Sequence, residues 1–430
     1  VHKEAETAFH RAVFEKEMKD YTILVPQMSP IHFQFIEAAL EQGGYKAVLM
    51  PSVDKCAVEE GLRYVNNDAC YPTIVTLGQI IHELKSGKYD LHRTAVILSQ
   101  TGGQCRASNY IALLRKALVD LKMEYVPIIS FNYVGLESNP GFKISLPTLG
   151  RLGMGMVYGD VLMRVLYATR PYEQEPGSAN ALAAKWAKRA SETIKMPNFF
   201  RFRKDIEELV KEFDELPLCD VKKPKVGIVG EILVKYHPMA NNDIVGVIEK
   251  EGGEAVVLDL LDFFLYGMYS KEYNYKELSG DFKTMALNKI FLSAVEKFRN
   301  HARTVLNRSK RFRGPGHISH TAEKAQKVTS LGNQCGEGWL LTGEMVELID
   351  SGVLNIVCMQ PFACLPNHVT GKGMLKGLRK YNPMVNIAAI DYDPGASDVN
   401  QLNRIKLMMA TAYKNMRKEE ENLKKSEPFD

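Results

Sequence analysis

The sequence predicts an α/β protein with two Rossmann-like parallel-sheet domains joined by a helical connecting segment. Short apolar runs of strand length alternate with segments whose apolar residues recur every three or four positions, and they do so in both halves. The alternation pauses over residues 157–224, where charged helical patterns dominate, and then resumes. At 430 residues the chain also exceeds what one ordinary core serves.

In order, residues 21–26 read as a first strand and 31–42 as a helix with Phe33, Ile36 and Leu40 on one face. Residues 45–51 form a second strand. Pro72 suits the first turn of a helix carrying Ile74, Val75, Leu77, Ile80, Ile81 and Leu84 at helical spacing. Residues 93–100 read as a buried strand that runs through a glycine turn into a helix with Tyr110, Leu114, Ala117, Leu118 and Leu121. A strand at 126–132 completes the first set. Helical segments follow at 181–190 and 204–215, and Leu216-Pro217 and Lys222-Lys223-Pro224 break the chain. Strand 225–230, helix 243–251 and strand 254–260 open the second set, which a long helical region at 270–309 interrupts. Strand 355–360, a helix from Pro366, strand 385–391 and a last helix from Ser397 close it. The expected domains are a charged extension (1–20), a first Rossmann-like domain (21–156), a helical connector (157–224) and a second Rossmann-like domain (225–430) with a helical insertion at about 265–330.

Hydrophobic content of 45% and charged content of 25% are those of a soluble globular chain. A net charge of +4 is small for this length and does not point to nucleic acid. No apolar run approaches the roughly 18 residues that span a bilayer, and residues 1–20 carry no signal-peptide core. Seven scattered cysteines without an export signal suggest reduced thiols in a cytoplasm. The sequence begins with Val1, and reads as a processed piece or the end of a longer polypeptide.

Four cysteines lie in near-duplicate settings. Cys70 and Cys364 each open a Cys-x-Pro step, and Cys105 and Cys335 each end a Gly-x-Gln-Cys or Gly-Asn-Gln-Cys tetrapeptide. Cys105 and Cys364 follow strands of a parallel sheet, beyond whose carboxyl ends ligands bind. Cys70 and Cys364 precede helices, where free N–H groups and the helix dipole favour a thiolate with lowered pKa and favour an anionic cluster further. Gly102, Gly103 and Gln104 offer backbone N–H groups to sulfur. The spacings are neither those of a ferredoxin nor those of a zinc ribbon, so the ligands are discontinuous, with an iron–sulfur cluster in the interdomain cleft as the best candidate. The other reading is that each cysteine is a small core hydrophobe. Cys358, within an apolar strand, reads so first, and Cys56 and Cys219 look incidental.

The segments NNDACYP (66–72), QTGGQCRASNY (100–110), VGIVGEI (226–232), GEGWLLTGEM (336–345) and MQPFACLPNHVTGKG (359–373) resemble the 2-hydroxyacyl-CoA dehydratase superfamily. More closely, the chain resembles the C-terminal portion of the large acyl-CoA dehydratase activase-related proteins. The resemblance implies Rossmann-like domains holding a cysteine-ligated 4Fe–4S cluster, or a double-cubane 8Fe–9S cluster on six cysteines. It implies ligation by Cys70, Cys105, Cys364 and Cys335, and makes Cys358 a further candidate. It also implies an activator ATPase in cis or trans as electron donor and an acyl-CoA as small-molecule substrate, with a homodimer among the expected assemblies. The implied role is ATP-driven, low-potential one-electron reduction or dehydration in an anaerobe's cytoplasm. The alternatives are a non-catalytic electron carrier for a separate dehydratase and a structural or nucleotide-binding module without a cluster. No phosphate-cradling loop with a Lys-Ser/Thr step is present, so the chain itself is not expected to hydrolyse ATP.

Weaker signals remain. Glu337 and Glu344 flank Trp339 and read first as helix-surface carboxylates, with proton donation as the other role they could take. His317 and His320 beside Gly314-Pro315-Gly316 read as a solvated loop rather than a metal site. The basic stretch 308–313 reads as a charged helix end, or as a dock for an acidic partner or a CoA phosphate.

Overall fold

The structure, a computed structural model, describes residues 11–51, 55–66, 68–101, 103–131 and 137–426. These fall into two compact units. One lies within Val1–Met156 with Ser191–Pro197 and Tyr236–Ala240, and the other comprises Val157–Ala190, Asn198–Lys235 and Asn241–Asp430. The segment 157–224, expected as a connector, therefore packs almost wholly with the second unit.

The first unit runs β1 (Thr22–Val25), α1 (Pro30–Gln42), β2 (Lys46–Leu49), α2 (Lys55–Tyr64), α3 (Tyr71–Lys85), β3 (Thr94–Ser99), α4 (Tyr110–Asp120) and β4 (Ile128–Phe131). Its four strands are all parallel, in the order β2-β1-β3-β4. Ile23, Ala95 and Ile129 are fully buried, as expected of strands covered on both faces, and each such isoleucine side chain contributes about 1.5–3 kcal/mol. Pro30 begins α1 with its fixed φ at a position that needs no N–H donor. Helix α3 lies so close on α2 that a Cβ at Gly78 would overlap the Ala57 carbonyl. Phe14 is fully buried in this core and its ring meets Tyr21 edge to face, so the charged extension is in part a core element.

Next come α5 (Leu146–Thr169), α6 (Ser178–Lys195) and α7 (Phe199–Asp214), the last capped by Asn198 through the N–H groups of Phe200 and Arg201. The second sheet follows as β5 (Lys225–Gly230), α8 (Ile232–Tyr236), α9 (Ile244–Lys250), β6 (Glu254–Val257), α10 (Leu261–Glu277), α11 (Phe282–Arg308), α12 (Ile318–Gln326), α13 (Gly338–Asp350), β7 (Asn355–Pro361), α14 (Leu365–Thr370), α15 (Leu375–Tyr381), β8 (Asn386–Tyr392) and α16 (Asp398–Ser426). The strand order, β6-β5-β7-β8, is again all parallel and repeats that of the first sheet. The α/β class and the two parallel sheets thus follow the sequence expectation.

Three boundaries differ. The long helical region is two helices, because Asp281 caps α11 by accepting from the Thr284 N–H at 2.8 Å. Strand β6 stops at Val257, short of 260, because Asp259 turns into a buried ion network. There Arg299 forks to Asp259 at 2.5 Å and Asp262 at 2.6 Å, and Arg164 also donates to Asp259. Nearby, Asp160 caps α10 by accepting from the Leu260 N–H at 2.7 Å. Finally, α13 escaped the periodicity, since it is buried on nearly every face, and Cys56, expected before a helix, lies in the first turn of α2.

At the carboxyl end of β1 the Gln79 side chain accepts from the Gln27 N–H at 3.1 Å, and its amide nitrogen stands 3.0 Å from His237 Nε2. His237 is fully buried, and burial pulls its pKa down to about 4. The imidazole is neutral in the fold but takes up a proton below about 6.5 once the chain unfolds, so this stability is present above 6.5 and is lost as pH falls towards 4. The unfolding free energy should fall by about 1.4 kcal/mol per pH unit across that window, and the slope should flatten in His237→Gln. An equally steep slope in the variant would rule His237 out as the cause.

Candidate functional site

In a parallel sheet each returning helix runs opposite to the strands, so helix starts and strand ends share the carboxyl edge. In the first unit, Cys70 is the N-cap of α3, the helix that feeds β3, and Cys105 lies just past β3 as the N-cap of a 3₁₀ turn, Arg106–Asn109. In the second, Cys335 opens the turn into α13, the helix that feeds β7, and Cys364 lies just past β7 as the N-cap of α14. Topology therefore matches Cys70 with Cys335 and Cys105 with Cys364. The motifs match them the other way, since Cys-x-Pro and Gly-x-Gln-Cys describe local turns and not places in the fold.

The Cys70 sulfur lies 2.9 Å from Thr73 Oγ1 and 3.4 Å from the Tyr110 hydroxyl. Tyr110 opens α4, directly after the Cys105 turn, so one side chain joins the two cysteine segments of this unit. Ser108 ties the intervening loop, donating to the Gly103 carbonyl at 2.8 Å while its own carbonyl accepts from Gln100 at 3.1 Å. Gly103 and Gln104 are exposed, and Gly102 lies outside the described residues.

The second unit builds a tighter arrangement. Glu337 is buried, and its carboxylate accepts from the Ile232 N–H at 3.0 Å and from Asn367 Nδ2 at 2.7 Å. The same Asn367 nitrogen donates to the Cys364 sulfur at 3.3 Å. Glu231, at the end of β5, accepts from the Val234 N–H at 2.9 Å. Burial, with Glu337 as a like-charged neighbour, pushes Glu231 up to about 8, and burial raises Glu337 as well. Gly338 has φ +49, and a Cβ there would overlap the Asn333 carbonyl and the Tyr266 hydroxyl, which makes this turn specific to glycine. Ala363 holds φ +57 immediately before Cys364.

Two expectations are corrected here. Cys364 caps a helix, yet burial first and the Glu337 charge second push its thiol up from 9.0 to about 12. That is about 4 kcal/mol against the thiolate, whereas a helix terminus returns about 0.3–1 kcal/mol. Burial wins. Neither Glu337 nor Glu344 is a helix-surface carboxylate. Glu344 is buried against Lys235 at 2.8 Å, with both side chains at most 5% exposed, and burial raises its pKa despite the lysine.

Cys358 is fully buried in mid β7 within the second core, and its thiol is pushed up to about 12 by burial. Cys56 and Cys219 are exposed. His317 caps α12 with its ring 6.1 Å from His320, so the expected loop is a helix start. Among the described residues no three His, Cys, Asp or Glu side chains stand together as a metal-binding group, and no helix is long and apolar enough to cross a membrane. Sequence reasoning missed Glu231, Lys235, Asn367, Tyr110 and Tyr266. Glu231 was signalled by its place directly after a buried strand, and Asn367 by its place three residues beyond Cys364. No family model and no curated protein matches the chain.

Asn367 is the shared donor of this arrangement. Asn367→Ala should lower stability by about 1–3 kcal/mol, the cost of a buried acceptor left short. Asn367→Asp places a further acid beside Glu337 and should be worse at neutral pH but recover as pH is lowered. Chemical denaturation at two pH values checks both, and pH-independent behaviour of Asn367→Asp would contradict the shared-carboxylate geometry.

Proposed function

We propose that this chain is an iron–sulfur protein whose cluster, 4Fe–4S or double-cubane 8Fe–9S, is held in the interdomain cleft by thiolates of both units. The ligands are Cys70, Cys105, Cys335 and Cys364, and a double cubane would draw on Cys358 as well. The observation that carries this reading is that both units set cysteines at the same two places of the same topology, on the edge where parallel sheets bind ligands. The donor set suits the group. Soft thiols select iron–sulfur clusters, and Cys70, Cys105 and Cys364 are each the N-cap of a helical segment. Cys364 carries a thiol that burial keeps protonated, so a bound cation is what would favour its thiolate form.

When bound, such a cluster supplies electrons one at a time at low potential. An activator ATPase in cis or trans is the proposed source, and a small molecule of the acyl-CoA class is the proposed substrate for reduction or dehydration. Glu231, pushed up to about 8, keeps a proton at neutral pH, and Glu337 is raised by burial; the two are the proposed proton donors beside Cys364. Asn367 orients Glu337 for that role.

A second reading, an electron carrier for a separate dehydratase, is favoured by the number of equivalent positions. Four matched cysteines leave no iron of a 4Fe–4S cluster open to substrate. Serine variants at Cys70, Cys105, Cys335 and Cys364, purified without oxygen, test the assignment. Bound iron and visible absorption should drop sharply in each. Retention of iron in Cys335→Ser alone would make three ligands and an open iron, the enzyme reading. Full iron and an unchanged spectrum in all four would refute the ligand assignment.

A further inference from the structure

Tyr266, on α10, is only 5% exposed, and its hydroxyl oxygen is buried without a hydrogen-bond partner. Leaving such a group unpaired costs about 1–3 kcal/mol, and phenylalanine would fill the same space without that cost. The ring is held in place. It meets Trp339 edge to face at 5.0 Å, the Trp339 Nε1–H donates to Ser270 Oγ at 3.1 Å, and Ser270 Oγ donates to the Tyr266 carbonyl at 2.8 Å. So fixed, the hydroxyl abuts Gly338, whose N–H donates to the Cys335 carbonyl at 2.9 Å. The phenol thus faces the turn that Cys335 begins. Glu337 and Cys335 are the acidic neighbours that, after burial, hold the proton on its oxygen. The hydroxyl bonds neither Glu337 nor any other group as it stands, and the Cys335 sulfur is the other acidic neighbour, the acceptor to be supplied.

We propose that Tyr266 is a positioning residue whose hydroxyl donates a hydrogen bond to the Cys335 sulfur when that sulfur ligates the cluster, and that this bond raises the cluster's reduction potential. The proposal rests on the iron–sulfur reading above. A donor aimed at a ligand sulfur stabilises the added electron of the reduced state, one of the protein's levers on cluster potential. In metal-free protein the hydroxyl is an unpaired burden, and on loading it gains its partner.

Tyr266→Phe, prepared without oxygen, tests this. Bound iron should match the wild type. At a fixed potential the reduced-to-oxidised ratio should fall about tenfold, which is about 59 mV for a one-electron couple. In metal-free protein the variant's Tm should equal or exceed that of the wild type, and its gain in Tm on loading should be smaller. Should the variant not fold, the wild type carries the test, because its Fe–S stretching bands should shift in D2O. Full iron with an unshifted potential, or bands insensitive to D2O, would overturn the role of Tyr266 and leave the cluster standing. Iron-free wild type would overturn the cluster reading and this role together.

Discussion

A parallel sheet cannot be closed by hairpins, so each strand is reached through a helix that runs back against it. That one constraint brings helix starts and strand ends to a common edge in each unit, and it decides where every candidate residue lies. Cys70 and Cys335 stand where the helix feeding the third strand begins, and Cys105 and Cys364 where the third strand ends. The order β2-β1-β3-β4, repeated as β6-β5-β7-β8, adds a switch point beside that third strand in both sheets. Within each unit the two cysteines are separated by one helix and one strand, α3 and β3 or α13 and β7. They are equivalent because the topology is.

The two edges differ in their electrostatics. In the first unit the cysteine sulfur meets hydroxyls, those of Thr73 and Tyr110. In the second it lies beside half-buried Glu231 and buried Glu337; the Glu337 charge adds to the rise of Glu231, and both disfavour a thiolate at Cys364. Burying an acid beside an acid is unfavourable unless protons or backbone donors compensate. Ile232, Val234 and Asn367 supply those donors, and Glu231, raised to about 8, holds a proton. Deeper on α13, Lys235 neutralises Glu344 instead. The carboxyl edge of the second unit is thus built to keep negative charge in balance, a setting in which a bound cation would change every neighbouring group.

The strands of both sheets could be read from the residues because their buried faces are runs of β-branched and aliphatic side chains, and the turns because glycine, proline and aspartate mark them. Helix α13 could not, because GWLLTGEMVELID is apolar on nearly all faces and shows no stripe. That failure hid the burial of Glu337 and Glu344, which only neighbours from distant segments determine. The cysteine positions at strand and helix ends were apparent. Their pairing was not, because Cys-x-Pro records a helix start and carries no information on which helix. Tyr266 and Lys235 had no local signal at all, since Trp339 and Glu344, against which they pack, come from a distant segment of the chain.

The most direct measurement is iron and acid-labile sulfide per chain, with EPR after reduction, on the wild-type protein purified without oxygen. A coloured protein carrying a full cluster complement and a reduced-state signal is the expected result. A colourless protein free of iron and sulfide would mean that the four cysteines are packing residues, and that the repeated topology carries no metal.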